Sequence, residues 1–160
     1  MTDDPVKSVM ALLLERGWRL ATAESCTGGL IAHWVTAIPG SSSVYAGGAV
    51  AYANEAKTAL LGVPPALIER HGAVSAPVAE AMARGALERL GADVAVSTTG
   101  IAGPSGGTAE KPVGLVYIGV ATRQGVCRAE ACHFKGTRGE VQIAAGQAAL
   151  EMIQTELRSK

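Results

Sequence analysis

The sequence is poor in aromatic residues: two Trp, three Tyr and one Phe make up 4% of its 160 positions. A platform for stacking bases is therefore poorly supplied, and the core must be assembled from Ala, Val, Leu and Ile. An excess of one charge is also missing, since 14 Lys and Arg balance 14 Asp and Glu. That balance argues against a general polyanion binder, so no nucleic-acid partner is expected, while a local anion pocket stays open. Cys26, Cys127 and Cys132 have no C-x-x-C spacing, which disfavours a disulfide framework or zinc site and fits a reducing, cytoplasmic location. His33, His71 and His133 are scattered and form no H-E-x-x-H pattern, so no metal is expected. No apolar run approaches the roughly 18 residues of a membrane span. The start, "MTDDPVKSVM", is acidic and lacks a signal-peptide core.

What is present is 48% apolar content without a dividing linker or internal repeat, enough for one folded domain. Val6, Met10, Leu13 and Leu14 have helical spacing over 4–16, with Asp4 as cap and Gly17 as stop. "WRLATA" (18–23) reads as a strand, and "ESCTGGLIAHWVTAI" (24–38) as a polar loop that becomes a helix. "GGAVAYA" (47–53) reads as a strand, "NEAKTALLG" (54–62) as a short helix capped by Asn54, and "PPALIERHG" (64–72) as another. Residues 75–91 give a strong helix with Ser75 as its cap, 92–100 a buried strand, 113–122 and 126–134 a hairpin, and 137–157 a last helix. This order predicts a layered α/β domain with a mixed sheet. The small face Ala79, Ala83 and Ala86 packs either within the domain or against a second copy, so a homo-oligomer is open at this stage.

Three loops dense in Gly, Ser and Thr carry the candidate chemistry: "AESCTGG" (23–29), "GSSSVY" (40–45) and "STTGIAGPSGG" (97–107). In open α/β sheets, ligands bind in loops at the carboxyl ends of strands. Neither a P-loop nor a G-x-G-x-x-G pattern occurs, so nucleotide binding through those devices is not supported. A Gly-rich turn by itself more often serves helix–strand packing, but three of them in one small domain favour a site. A serine needs a base, and no G-x-S-x-G elbow is present. A lysine serves if burial lowers its pKa. Lys57, in the apolar segment "EAKTALLG", follows the strand that starts just after Ser42. The spacing permits a Ser42–Lys57 dyad without demanding one, since a lysine on a short helix is usually solvated. Tyr52 is ambiguous between packing and catalysis. Cys26, ahead of a helix, is a weaker nucleophile candidate that would need His33 or His71. Lys111 reads as closing its loop, Arg138 as a cap or an anion ligand, and Glu24 and Asp93 as no convincing carboxylate pair.

The stretches "TAESCTGGLIA" (22–32), "PGSSSVYAGGAVAYANEAK" (39–57), "HGAVSAPVAEAMARGA" (71–86) and "STTGIAGPSGGTAEKPVGLVYIGVA" (97–121) resemble the CinA C-terminal family, which includes stand-alone nicotinamide-nucleotide amidases. The resemblance covers roughly residues 5–155 of a single domain, 1–160. It leaves out the N-terminal domain of full-length CinA proteins, so the pyrophosphatase of that domain is not expected. It implies a three-layer α/β/α fold with a mixed, mostly parallel five-stranded sheet. The implied activity is metal-independent hydrolysis of the carboxamide of nicotinamide mononucleotide (NMN) to nicotinate mononucleotide and ammonia, in pyridine-nucleotide recycling, with no cofactor. Catalysis falls to Ser42 as nucleophile, Lys57 as base and Tyr52 as its orienting partner. The substrate is expected at Ser25, Thr27, Gly28, Thr99, Gly100 and Arg138, the last against the phosphate. Ser105 and Ala53 depart mildly from the family pattern. A Ser–Lys hydrolase of another small amide, and a non-catalytic competence- or damage-related interaction module, are the alternative readings.

Overall fold

The computed structural model describes residues 4–159. The chain opens with helix α1 (Pro5–Arg16), where the Asp4 side chain accepts a hydrogen bond from the Val6 N–H at 3.0 Å and Gly17, at φ +66°, ends the helix. There follow β1 (Leu20–Glu24), α2 (Leu30–Thr36), a 3-10 turn at Ser41–Ser43, and β2 (Tyr45–Val50). Helices α3 (Asn54–Leu61), α4 (Pro65–His71) and α5 (Ala76–Arg89) lead to β3 (Val94–Gly100). The hairpin β4 (Leu115–Thr122) and β5 (Cys127–His133) precedes α6 (Arg138–Arg158).

The five strands form one sheet in the order β2-β1-β3-β4-β5. β1 pairs in parallel with β2 and β3, and β4 pairs antiparallel with β3 and β5. Four strands therefore run one way and β4 against them. The core has two halves, one on each face of the sheet. Val9, Leu13, Ile31, Val35, Leu150 and Ile153, from α1, α2 and α6, fill one; Leu61, Val63, Val78, Met82 and Ala86, from the segment α3–α5, fill the other. Three layers result, the architecture the family resemblance implies.

The register positions the site. Glu24 stands opposite Val50 on one side and Thr98 on the other. The carboxyl ends of β1, β2 and β3 are thus level, and the segments leaving them meet at one edge of the sheet.

Several local expectations shift. β2 starts and ends earlier than 47–53. The Ala51 N–H still reaches the Glu24 carbonyl oxygen at 2.8 Å, but the carbonyls of Ala51 and Tyr52 are taken by a side chain rather than by a strand. Asn54 is the first residue of α3 and Ala53 its N-cap. Ser75 is the N-cap of α5, yet its hydroxyl donates to the Gly72 carbonyl oxygen. Ala79, Ala83 and Ala86 are completely buried inside the domain, which answers that question in favour of internal packing. No helix of the described residues is long and apolar enough to cross a membrane.

Candidate active site

Ser25 is the first residue beyond β1. Its N–H donates to the Thr98 carbonyl oxygen at 3.0 Å, and the Gly28 N–H returns to the Ser25 carbonyl oxygen at 3.1 Å. This tight turn reverses the chain from strand to helix. Gly28 and Gly29 hold φ of +61° and +101°, conformations that side chains with a Cβ rarely adopt. α2 therefore starts only at Leu30, and the turn holds Ser25 at the sheet edge.

Lys57 lies in the middle of α3, one crossover further on. Its side chain is 1% exposed, the largest fully buried side chain among the described residues. α3 packs this closely because α5 carries Gly85, where any Cβ would overlap the Leu61 carbonyl. The Lys57 Nζ lies 3.0 Å from Ser25 Oγ, 3.0 Å from the Ala51 carbonyl oxygen and 2.9 Å from the Tyr52 carbonyl oxygen. None of the ion pairs among the described residues includes Lys57; they join Arg123 to Asp93 and Arg128 to Glu130 and Glu156. Burial therefore lowers its pKa from the ordinary value of 10.5, against a smaller opposing effect of Cys26.

The three partners define what the amine can do. A neutral amine has two hydrogens and one lone pair. The two carbonyls hold the hydrogens, which leaves the lone pair for the Ser25 hydroxyl. When the amine takes a third proton, that proton lies on the line to Ser25 Oγ. The arrangement accepts both protonation states, with the serine as the exchange partner.

A cleft of about 250 Å³ opens over this pair, lined by Ser25, Tyr52, Asn54, Lys57, Thr99, Gly100, the 101–106 loop and Arg138 among others. Among the described residues, Lys57 and Arg138 are its charged lining residues, and no acidic side chain joins them. Arg138, at the start of α6, donates from Nη2 to Tyr52 Oη and from Nη1 to the Gly103 carbonyl oxygen, both at 2.8 Å. Thr99 Oγ1 donates to the Ala73 carbonyl oxygen at 2.8 Å. A larger hollow of about 350 Å³ between α3 and α4 is lined by Asn54, Glu55, Thr58, Ala59, Pro65 and Ile68.

The expected partner of Lys57 is corrected. Ser42 is exposed, in the 3-10 turn that precedes β2, whereas Lys57 follows the opposite end of that strand. A six-residue strand separates them by about 20 Å. The "GSSSVY" loop thus lies away from the other two loops, and Ser25, expected to hold substrate, is the serine beside the lysine. Tyr52, Thr99, Gly100 and Arg138 line the cleft. Thr27 and Gly28 do not line it: Thr27 Oγ1 is buried between Glu24 and Thr98 at 2.6 and 2.8 Å, and Gly28 shapes the turn. Cys26 lines the cleft, but burial pushes its thiol up to about 11, so it is not a thiolate near neutral pH. Lys111 donates to the His71 carbonyl oxygen at 2.7 Å, closing its loop as expected. No group of three or more His, Cys, Asp or Glu among the described residues could hold a metal ion.

The serine beside Lys57 was findable from strand polarity. Ser25 follows β1 and Lys57 follows β2, and parallel neighbours place such residues at the same edge. Asn54, Ala73 and Val74 had no local signal, because they become lining residues only through the packing of α3–α5 on the sheet.

Comparisons with known proteins agree with this architecture. The model of the CinA C-terminal domain matches residues 3–157. A CinA-like protein of Chlorobaculum tepidum is 54% identical over 154 residues, covering 94% of this chain and 36% of that protein. A putative competence-damage inducible protein of Symbiobacterium thermophilum is 63% identical over 117 residues, 73% of this chain and 28% of that protein. The chain thus spans about a third of the length of the curated relatives it matches. Among solved structures, a CinA superfamily protein of Klebsiella pneumoniae superposes with a TM-score of 0.92 at 35% identity, covering 96% of this chain and 95% of the other. A competence/damage inducible protein of Agrobacterium tumefaciens superposes with a TM-score of 0.91 at 42% identity, covering 99% and 98%. Matched along nearly all of its length by sequence and by fold, the chain belongs to the CinA C-terminal domain family.

Proposed function

We propose that this domain is an amidohydrolase in which Ser25 is the nucleophile and Lys57 the general base, and that its substrate is the carboxamide of NMN. The observation that carries the reading is the 3.0 Å approach of a buried, carboxylate-free lysine amine to a serine hydroxyl at the mouth of a cleft. Neutral Lys57 removes the Ser25 proton as Oγ attacks the amide carbon. The resulting oxyanion is assigned to backbone N–H groups of the Gly- and Ser-rich segments lining the cleft. Lys57 then passes its proton to the departing nitrogen, the C–N bond breaks, and ammonia leaves. Water attacks the acyl-enzyme by the same proton path reversed, giving the carboxylate and restoring Ser25.

NMN as the substrate rests on the family resemblance, supported by one feature of the cleft. Arg138 donates to two uncharged oxygens and forms no ion pair among the described residues, so its charge is free for a phosphate.

The test is to incubate the protein with NMN in EDTA and follow ammonia and nicotinate mononucleotide. Ser25→Ala and Lys57→Ala are expected to lower kcat by a factor on the order of 10⁴. Ser42→Ala is expected to stay within about twofold of the wild type, because Ser42 is remote from the cleft. Turnover retained by Ser25→Ala would overturn the assignment of the nucleophile. No turnover of NMN by the wild type would overturn the substrate.

A further inference from the structure

Glu24 immediately precedes Ser25 and is 1% exposed. No cation pairs with it among the described residues; instead three donors converge on its side chain. Thr27 Oγ1 donates to Oε1 at 2.6 Å, the Ile31 N–H to Oε1 at 3.0 Å and the Ala32 N–H to Oε2 at 3.1 Å. The last two are free backbone donors in the first turn of α2, whose N-cap, Gly29, provides no side-chain bond. Glu24 therefore clamps the end of β1 to the start of α2, and the turn between them carries Ser25. Its main-chain carbonyl oxygen accepts from the Ala51 N–H at 2.8 Å, while the Ala51 carbonyl oxygen accepts from Lys57. Both members of the dyad are thus tied to the same residue, yet Glu24 does not line the cleft.

We infer that Glu24, acting through Thr27, is a positioning residue that holds the Ser25 hydroxyl against Lys57. The inference rests on the Ser25–Lys57 reading above. An attacking oxygen displaced by about 1 Å loses up to about a hundredfold in rate. Glutamine cannot replace Glu24, because it has one acceptor oxygen for three donors and turns an N–H₂ toward one of them. Thr27 Oγ1 also meets Thr98 Oγ1 at 2.8 Å, next to the Thr98 carbonyl that receives the Ser25 N–H. Loss of this hydroxyl loosens the turn from the other side.

The experiment measures kcat and KM for amide hydrolysis and, independently, the rate at which diisopropyl fluorophosphate labels Ser25, read by mass spectrometry. Proteins compared are the wild type, Glu24→Gln, Thr27→Val, Thr27→Ser and Ser25→Ala. The expected result is a fall of about tenfold or more in both kcat and labelling rate for Glu24→Gln and Thr27→Val, with KM within about twofold and rescue by Thr27→Ser. Should Glu24→Gln fail to fold, the Thr27 pair carries the same comparison. Folded variants whose labelling and kcat match the wild type, with only the melting temperature lowered, would overturn the inference and leave Glu24 a packing residue. Failure of the underlying reading looks different: the wild type itself would not be labelled at Ser25.

Discussion

At the scale of the residue, Lys57 makes the sharpest prediction because its charge is opposed by its surroundings. Its pKa in the folded protein lies below the ordinary 10.5. Between the two values the unfolded chain binds the proton and the folded one does not, so stability rises with pH across that window. Above about 10.5 burying the amine carries no ionisation penalty, and below the folded value the penalty is complete. Urea unfolding of wild type and Lys57→Met at several pH values is expected to show the wild type gaining on the variant as pH climbs toward 10.5. A pH-independent difference would mean that Lys57 titrates normally. The same deprotonation predicts a rising limb in kcat/KM with its midpoint below 10.5. Lys57 was legible in the sequence as a lone lysine among Ala, Leu and Gly. Its partner was not, because nearness along the chain favoured Ser42 and only strand direction separates the two serines.

At the scale of the element, the site depends on how tightly α3 is pressed against α5. Gly85 permits that approach, and the atoms a methyl group would meet are Leu61 backbone, which cannot rotate away. Gly85→Ala is expected to destabilise by about 1–3 kcal/mol, partly offset by about 0.5–1 kcal/mol of helix preference. Because Leu61 and Lys57 are one helical turn apart on the same face, kcat should fall with it. Urea titration and steady-state rates on the folded variant check both, and a variant as stable as the wild type would show that α3 has room to move. Most elements were legible: Asp4 and Gly17 mark α1, and Thr137 with Glu140 forms the capping box that starts α6. The end of β2 was not, since Val50-Ala51-Tyr52 carries no stop signal. The Lys57 amine, by taking the carbonyls of Ala51 and Tyr52, marks where the strand gives way.

At the scale of the whole molecule, a chain of zero formal net charge places, among its described residues, two cations and no anion around its cleft. Attraction of an anionic substrate is then local and open to screening. KM for NMN is expected to rise about two- to fivefold between about 0.02 and about 0.5 M salt, while KM for the phosphate-free nucleoside amide stays flat. Arg138→Ala should raise KM for NMN and abolish that salt dependence. An equal salt response for both substrates would remove the phosphate from the account of binding.

The sequence by itself determined the periodic helices, the buried strands and the glycine turns, because each depends on residues within a turn or two of one another. Only the tertiary structure decided which serine Lys57 meets. Parallel pairing of β1 with β2 brings the carboxyl ends of distant segments together, and it carries the residue just before β2 to the far end of the sheet.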